Sequence, residues 1–188
     1  MRIRALTESD LPAVKAFTDL TIGKNYFSKQ ELQKSFEQSI ANNSTRQKIM
    51  CSFVLLNEKN QMKGFRLAYP PGAWSKGKGA QLRPDLWKVP LQSAAYFQSL
   101  FLAPEVQGKG WGPKLSEAAL EVFRSLGAKA VVTHAWKESP NNSSVRYLKK
   151  FGFEIVATHP KYWVDVDYHC VLDGKPCQCT AEEMIKYL

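Results

Sequence analysis

The chain has 188 residues, 44% hydrophobic and 23% charged, with a formal net charge of +9. Those values exclude a disordered or collagen-like chain and leave one globular domain with room for a single core. No apolar run approaches the eighteen or more residues of a membrane span, and "MRIRALTESD" lacks the apolar centre of a signal peptide, so a cytoplasmic protein without membrane contact is expected. The basic balance permits phosphates, nucleic acid or acidic partners and does not choose among them.

In chain order, "RIRAL" reads as a short first strand. "TESDLPAVKAFTDLTI" follows as a helix, with Thr7 and Asp10 placed for a capping box and Leu11, Val14 and Phe17 on one stripe. Ser28 and Glu31 open a second helix carrying Leu32, Phe36 and Ile40. "CSFVLLN" and "MKGFRLAY" read as two strands joined by "EKNQ". "PPGAWSKGKGAQLRPDLWKVP" keeps neither helix nor strand period, so it reads as a long loop, basic in character and placed as a lid over a substrate opening. "SAAYFQSLFL" is a strand buried on both faces. Leu115, Ala118, Ala119, Val122, Phe123 and Leu126 recur at helical spacing, and Gly127 is placed to end that helix. "AKAVVTHAW" is a strand, "SPNNSSVRYLKKFG" a short helix, and "FEIVATH" and "YWVDVDYHCVL" the last strands. "TAEEMIKYL" reads as a small capped C-terminal helix. The order β-α-α-β-β-β-α-β-α-β-β describes an α/β fold with a mixed sheet and helices on its faces.

"QGKGWG", residues Gln107–Gly112, lies between the buried strand and the strong amphipathic helix. A helix N-terminus presents unpaired N–H groups and a partial positive charge, which together bind phosphate. Bare backbone at Gly108, Gly110 and Gly112 admits a phosphate oxygen, and Lys109 and Lys114 add attraction. The GKS/GKT ending of a P-loop is missing, and the spacing is not that of a dinucleotide fingerprint. A tight turn with glycines for packing is the other reading of the same residues.

"QGKGWG" fits Q/R-x-x-G-x-G/A, and with its flanks "SLFLAPEVQGKGWGPKLSEAAL" the segment resembles the pyrophosphate-binding unit of the GNAT superfamily of N-acetyltransferases. "IRALTESDLPAV" and "SPNNSSVRYLKKFGF" resemble that superfamily's opening and its later motif, and the likeness covers about residues 1–170. It implies a mixed, mostly antiparallel central sheet with helices on both faces and a splayed central strand pair. It also implies acetyl-CoA as acyl donor. The expected donor contacts are Leu100, Phe101 and Leu102 on the strand, Gln107, Gly108, Lys109, Gly110, Trp111 and Gly112 in the loop, and Asn141 before the late helix. The catalytic acid of many relatives is a Tyr four residues before the Gly-Phe pair. Leu148 stands there, with Tyr147 beside it, one helical step of about 100° away.

An attacking amine must lose a proton, and a base near neutral pKa serves best. His134, near the end of a central strand, is the first candidate and Glu138 the second, against the readings of a structural histidine and a solvated carboxylate. Tyr147 is the remaining acid candidate. Tyr96 and Gln98 line either the acceptor side or the core. His169, Cys170, Cys177 and Cys179 have awkward spacing for zinc, so no metal is expected. Free thiols or a redox-sensitive Cys177–Cys179 pair are expected instead, with Cys51 in the core. The expected division is an acyl-CoA N-acyltransferase domain over residues 1–173 and a short tail over 174–188. The expected activity is acetyl transfer to a primary amine on a small molecule or peptide, by direct attack in a ternary complex. Nucleic acid and membrane are not expected partners, and a monomer or homodimer is expected. The alternative is a coenzyme A-binding sensor or basic RNA-associated module without turnover.

Overall fold

A computed structural model describes residues 1–21, 23–42, 45–74 and 81–188. Its elements are β1 (Arg2–Ala5), α1 (Leu11–Thr21), α2 (Lys29–Gln38), β2 (Ile40–Asn42), β3 (Lys48–Met50), β4 (Phe53–Leu56) and β5 (Met62–Tyr69). These are followed by β6 (Ala94–Leu102), α3 (Trp111–Ser125), β7 (Ala130–Trp136), α4 (Ser143–Lys150), β8 (Glu154–His159) and β9 (Ala181–Tyr187). Seven strands form one sheet in the order β1-β4-β5-β6-β7-β9-β8, and β2 and β3 pair separately. Every neighbouring pair in the large sheet is antiparallel except β6 and β7. This is the mixed, mostly antiparallel sheet that the motifs imply.

The two capping boxes form as the sequence predicts. The Thr7 N–H donates to Asp10 Oδ2 at 2.9 Å, and Arg4 grips the same carboxylate through two nitrogens at 2.7 and 2.8 Å. The Glu31 N–H donates to Ser28 Oγ while the Ser28 N–H donates to Glu31 Oε2. Alternation then divides the core. Val54, Phe65 and Leu67 meet Leu11, Val14 and Leu32 on the α1/α2 face. Ala95, Phe97 and Val131 meet Ala119, Phe123, Val145 and Leu148 on the α3/α4 face.

Three expectations are corrected. The segment expected as a C-terminal helix is β9, which pairs with β7 on one side and β8 on the other. Ala, Glu, Met and Lys favour a helix locally, but two flanking strands with unpaired edges outweigh that propensity. Residues 174–188 are therefore not an appendage to a domain ending at 173, because they supply an interior strand. "YWVDVDYHCVL" is not a strand. It forms turns that bury Tyr162, Trp163 and Tyr168, with one bridge between Cys170 and Gly174.

The long loop is also corrected where it is described; residues 75–80 lie outside the described residues. Trp74 and Trp87 are buried, and the Trp74 Nε1–H donates to the Ala94 carbonyl at 3.0 Å. With Tyr69, Tyr96, Val132 and Ile185 they form a core layer over the centre of the sheet. The described part of the loop is a packed cover, and neither tryptophan is free to stack on a base.

Deleting residues 174–188 removes β9 and opens two interior strand edges. We expect the truncated protein to lose its cooperative thermal transition in circular dichroism and to accumulate as insoluble chain. A soluble truncation with a sharp transition would show that the sheet closes without β9.

Candidate active site

The parallel pair is short. β6 and β7 are in register from Ala94/Ala130 to Phe97/Thr133, while β6 continues to Leu102 and β7 to Trp136. At the last paired position the Thr133 hydroxyl donates to the Phe97 carbonyl at 2.9 Å. On the other side of β6, Leu67 faces Ser99 and Ala68 faces Phe97, so Gln98 is an extra residue that bulges the strand. Beyond it the two strands diverge.

Backbone alternation fixes which groups line the gap. The Ala103 N–H donates to the Lys63 carbonyl at 2.9 Å, and Leu102 pairs with Gly64. Phe101 therefore exchanges bonds with Phe65, and the main-chain groups of Leu100 and Leu102 face away from β5 into the gap. The Leu102 carbonyl accepts from Gln107 Nε2 at 2.9 Å, which ties the glycine segment back to the strand.

The three glycines do two jobs. Gly108 and Gly110 have φ of +70° and +78°, and a Cβ at either would meet nothing within 4 Å. They make left-handed turns that an L side chain resists, and they leave open space beside the N-terminus of α3. Gly112 is buried, and a Cβ there would sit 3.4 Å from Leu100 Cδ2 and 3.6 Å from Leu102 Cδ1. Its bareness seats α3 against β6. Lys109 is exposed, and Lys114 Nζ lies 4.6 Å from the Trp111 ring centroid. Asn141 and Asn142 are both left-handed and exposed, at the turn that opens α4.

Two helices flank the gap and are tied by Tyr147, whose hydroxyl donates to Ser116 Oγ at 2.7 Å and lies 3.3 Å from the Gly112 carbonyl. Leu148 is buried with Val145 in the core. Ser116 also accepts from Arg66 Nη2 at 2.7 Å, and the Arg66 guanidinium lies 4.0 Å from the Phe97 ring centroid. Burial brings Arg66 down to about 10, so it stays charged at neutral pH. Sequence reasoning missed this residue, because a charge between Phe65 and Leu67 reads as solvent-facing.

A sequence model described as the acetyltransferase (GNAT) family matches residues 24–153. The chain belongs to that family. No curated protein matches it. Solved structures of GNAT proteins share the fold at low identity. Ard1 from Thermoplasma volcanium superposes with a TM-score of 0.65 at 16% identity, covering 100% of this chain and 97% of that one. The ribosomal-protein-S18-alanine N-acetyltransferase from Escherichia coli gives 0.65 at 14%, covering 99% and 92%. Arabidopsis thaliana Naa50, in complex with the bisubstrate analogue CoA-Ac-MVNAL, gives 0.64 at 16%, covering 100% and 98%.

Within this GNAT fold the proton-transfer candidates do not converge. Glu138 is exposed and accepts the Thr180 N–H at 2.9 Å, which pins the start of β9. The His134 side chain is 2% exposed, and its ring stacks on Tyr162 with centroids 4.5 Å apart. Its Nδ1 lies 2.8 Å from the Tyr96 hydroxyl. Burial lifts Tyr96 well above its ordinary value, so that hydroxyl keeps its proton. Burial pushes the His134 imidazole below its usual value, against the pull of Glu183. His134 Nε2 is buried and faces Glu183 Oε2 at 3.6 Å, beyond hydrogen-bond distance. Tyr96, Tyr162 and Glu183 enclose the ring, so His134 is packed into this layer.

Glu183 organises this layer and was not anticipated. It is fully buried on β9. Its oxygens accept from Trp87 Nε1 at 2.5 Å, from the Arg83 N–H at 3.1 and 3.0 Å, and from His159 Nε2 at 2.6 Å. Burial alone would raise the carboxyl. The surrounding His134, Trp87, His159 and Arg83 groups outweigh that cost and bring it down to about 2.

A carboxyl whose folded value lies below its unfolded 4.5 stabilises the fold above about 4.5, and that contribution is lost as pH falls toward about 2. Glu183→Gln should cost about 3 kcal/mol at pH 7 and flatten the acid limb of the stability curve. Urea titrations at pH 7 and pH 3 check this; equal losses at both pH values contradict it.

Proposed function

We propose that the protein transfers an acetyl group from acetyl-CoA to a primary amine by direct attack in a ternary complex. The observation that carries this reading is the β6/β7 gap. It opens after Phe97/Thr133, is edged by the main chain of Leu100 and Leu102, and ends at the glycine turn before α3. In this reading the donor pyrophosphate lies on the N–H groups of residues 108–112, with Lys109 adding attraction. The pantetheine arm lies along Leu100, Phe101 and Leu102, and Asn141 borders it at the turn into α4. Main-chain N–H groups at the bulge polarise the thioester carbonyl.

Direct attack follows from the nucleophiles available. Cys51 is buried and its thiol is pushed up to about 12 by that burial. Ser99 is buried beside the bulge with no histidine bonded to it among the described residues. With His134 and Glu138 engaged elsewhere, the amine releases its proton to water, and catalysis rests on positioning. The acceptor is a small molecule or peptide bearing a primary amine.

Gly110 offers a clean test. It caps α3 in open space with φ +78°, a position where Asp and Asn are the best tolerated side chains. Gly110→Asp should lower acetyl-CoA affinity at least tenfold, about 1.4 kcal/mol, and Gly110→Asn should lower it less. Calorimetry showing equal affinity in the folded Asp variant contradicts the donor site. Coenzyme A binding without thiol release across a panel of amines supports the sensor reading instead.

Tyr147 gives the second test. Its hydroxyl bridges α3 and α4, so Tyr147→Phe should change turnover by less than about tenfold, whereas loss of a general acid typically costs 10²–10⁴-fold. A loss in the larger range, with the thermal transition unchanged, assigns Tyr147 the acid role.

A further inference from the structure

Residues 160–180, between β8 and β9, contain no helix or strand. They hold three of the four cysteines, Cys170, Cys177 and Cys179, all buried and all free thiols. One sulfur from each of these cysteines and one carboxylate oxygen of Asp173 lie within 4.8 Å of one another. We propose that these four side chains form a tetrahedral structural site for a zinc ion.

The distances fit a metal better than a disulfide. Cys170 Sγ and Cys179 Sγ are 3.9 Å apart. A disulfide needs about 2.05 Å. Tetrahedral zinc with Zn–S bonds of about 2.3 Å puts its sulfurs roughly 3.8 Å apart. Asp173 Oδ2 lies 3.0 Å from Cys179 Sγ, and an opening of about 0.5 Å brings that pair to the tetrahedral separation.

The backbone presents the ligands as a metal turn does. Cys170 and Asp173 are separated by two residues, the tight spacing of a zinc knuckle. Gly174 follows with φ +77°, and Cys170 and Gly174 exchange two main-chain bonds of 2.8 and 2.9 Å. That closes a turn with both ligands at its mouth. Cys177 and Cys179 return on the next stretch, held by the Tyr162 N–H on the Cys179 carbonyl at 3.0 Å.

Outer donors are also in place. The Tyr168 hydroxyl donates to Cys177 Sγ at 3.1 Å, and the Gln178 N–H donates to Asp173 Oδ2 at 3.1 Å. Trp136 Nε1 is buried without a hydrogen-bond partner, and its indole neighbours Cys179. A metal-bound thiolate at Cys179 would give that N–H an acceptor. The sequence reading sought its fourth ligand in His169, whose exposed ring is not part of the cluster. Asp173 takes that place.

A second group, His134, His159 and Glu183, is equally close, but its atoms are already bonded to Tyr96, Gln81, Trp87 and Arg83. Each of these three side chains already makes a hydrogen bond of 3.0 Å or shorter to a neighbour in that layer. The cysteine site instead leaves a carboxylate and three sulfurs converging on one point. Its place is structural: it closes the turn against the layer of Tyr26, Trp163 and Tyr168 and fixes the chain just before β9.

The test is metal analysis of the full chain, purified and reconstituted with zinc under reducing conditions and then desalted. We expect close to one zinc per chain. Cobalt in its place should give thiolate-to-metal charge transfer and the intense visible bands of tetrahedral coordination. Cys177→Ser should reduce bound metal at least tenfold, while Asp173→Cys retains it. Zinc below about a tenth per chain after reconstitution overturns the proposal. So does a disulfide among Cys170, Cys177 and Cys179 in the intact reduced protein, or metal that survives Cys177→Ser and is lost in His159→Asn. If Cys177→Ser does not fold, the cobalt spectrum of the unaltered chain decides, since octahedral or thiolate-free bands exclude the site.

Discussion

A carboxylate without solvent has to be surrounded by donors, and the surroundings of Glu183 reach most of the molecule. Its partners come from the covering loop through Arg83 and Trp87, from β8 through His159, and from β7 through His134. Three segments far apart in sequence are thus held to one point on β9. The stretch from Arg83 to Trp87 cannot lift without stripping two donors from a buried charge, which is why residues with no periodic pattern behave as core here. The same contacts place β9, since only a strand lets Glu183 face this layer while Met184, one residue on, faces α3 and α4.

The opening between β6 and β7 has its own local cause. At Thr133 the side-chain hydroxyl takes the Phe97 carbonyl, and at Gln98 the bulge turns the strand. A parallel ladder that loses its register on one side and its next acceptor on the other has nothing to hold it closed. Leu100 and Leu102 then present main-chain groups to the gap, while their side chains pack on Gly112 and seat α3. Strand divergence and helix seating come from the same residues. A substitution that restored pairing at Gln98 would disturb the helix terminus as well.

Much of this was legible in the sequence, and the parts that were not share a reason. The helices with strong periodicity, the capping boxes at Thr7 and Ser28, and the strand–turn–helix unit around "QGKGWG" are encoded by neighbours in the chain. Gly108 and Gly110 could be assigned to a turn from local pattern alone. By contrast, β9 is a strand because β7 and β8 flank it, and "TAEEMIKYL" carries no trace of those partners. Arg66 and Glu183 read as surface charges until Ser116, Trp87 and His159 arrive from 24 to 96 residues away. Asp173 was passed over because an aspartate in a turn is ordinary; only the fold brings three sulfurs to it.

The departure at Leu148 can be understood in the same terms. Val145 and Leu148 are three apart, so they share the face of α4 that enters the core, and an apolar residue at 148 completes that face. Tyr147 falls about 100° around the helix and reaches Ser116 on α3 instead. Its hydroxyl, together with the Arg66 guanidinium, converges on one serine, which braces the two helices that flank the gap. In the proposed reading a phenol engaged in that way supports the cleft and is not the proton donor. Coenzyme A thiolate leaves without much assistance, so a chain of this kind can dispense with a dedicated acid. In the proposed reaction the burden shifts to the geometry of the gap: the fixed N-terminus of α3, the open turn at Gly108 and Gly110, and the main chain of a strand that has been bent away from its partner.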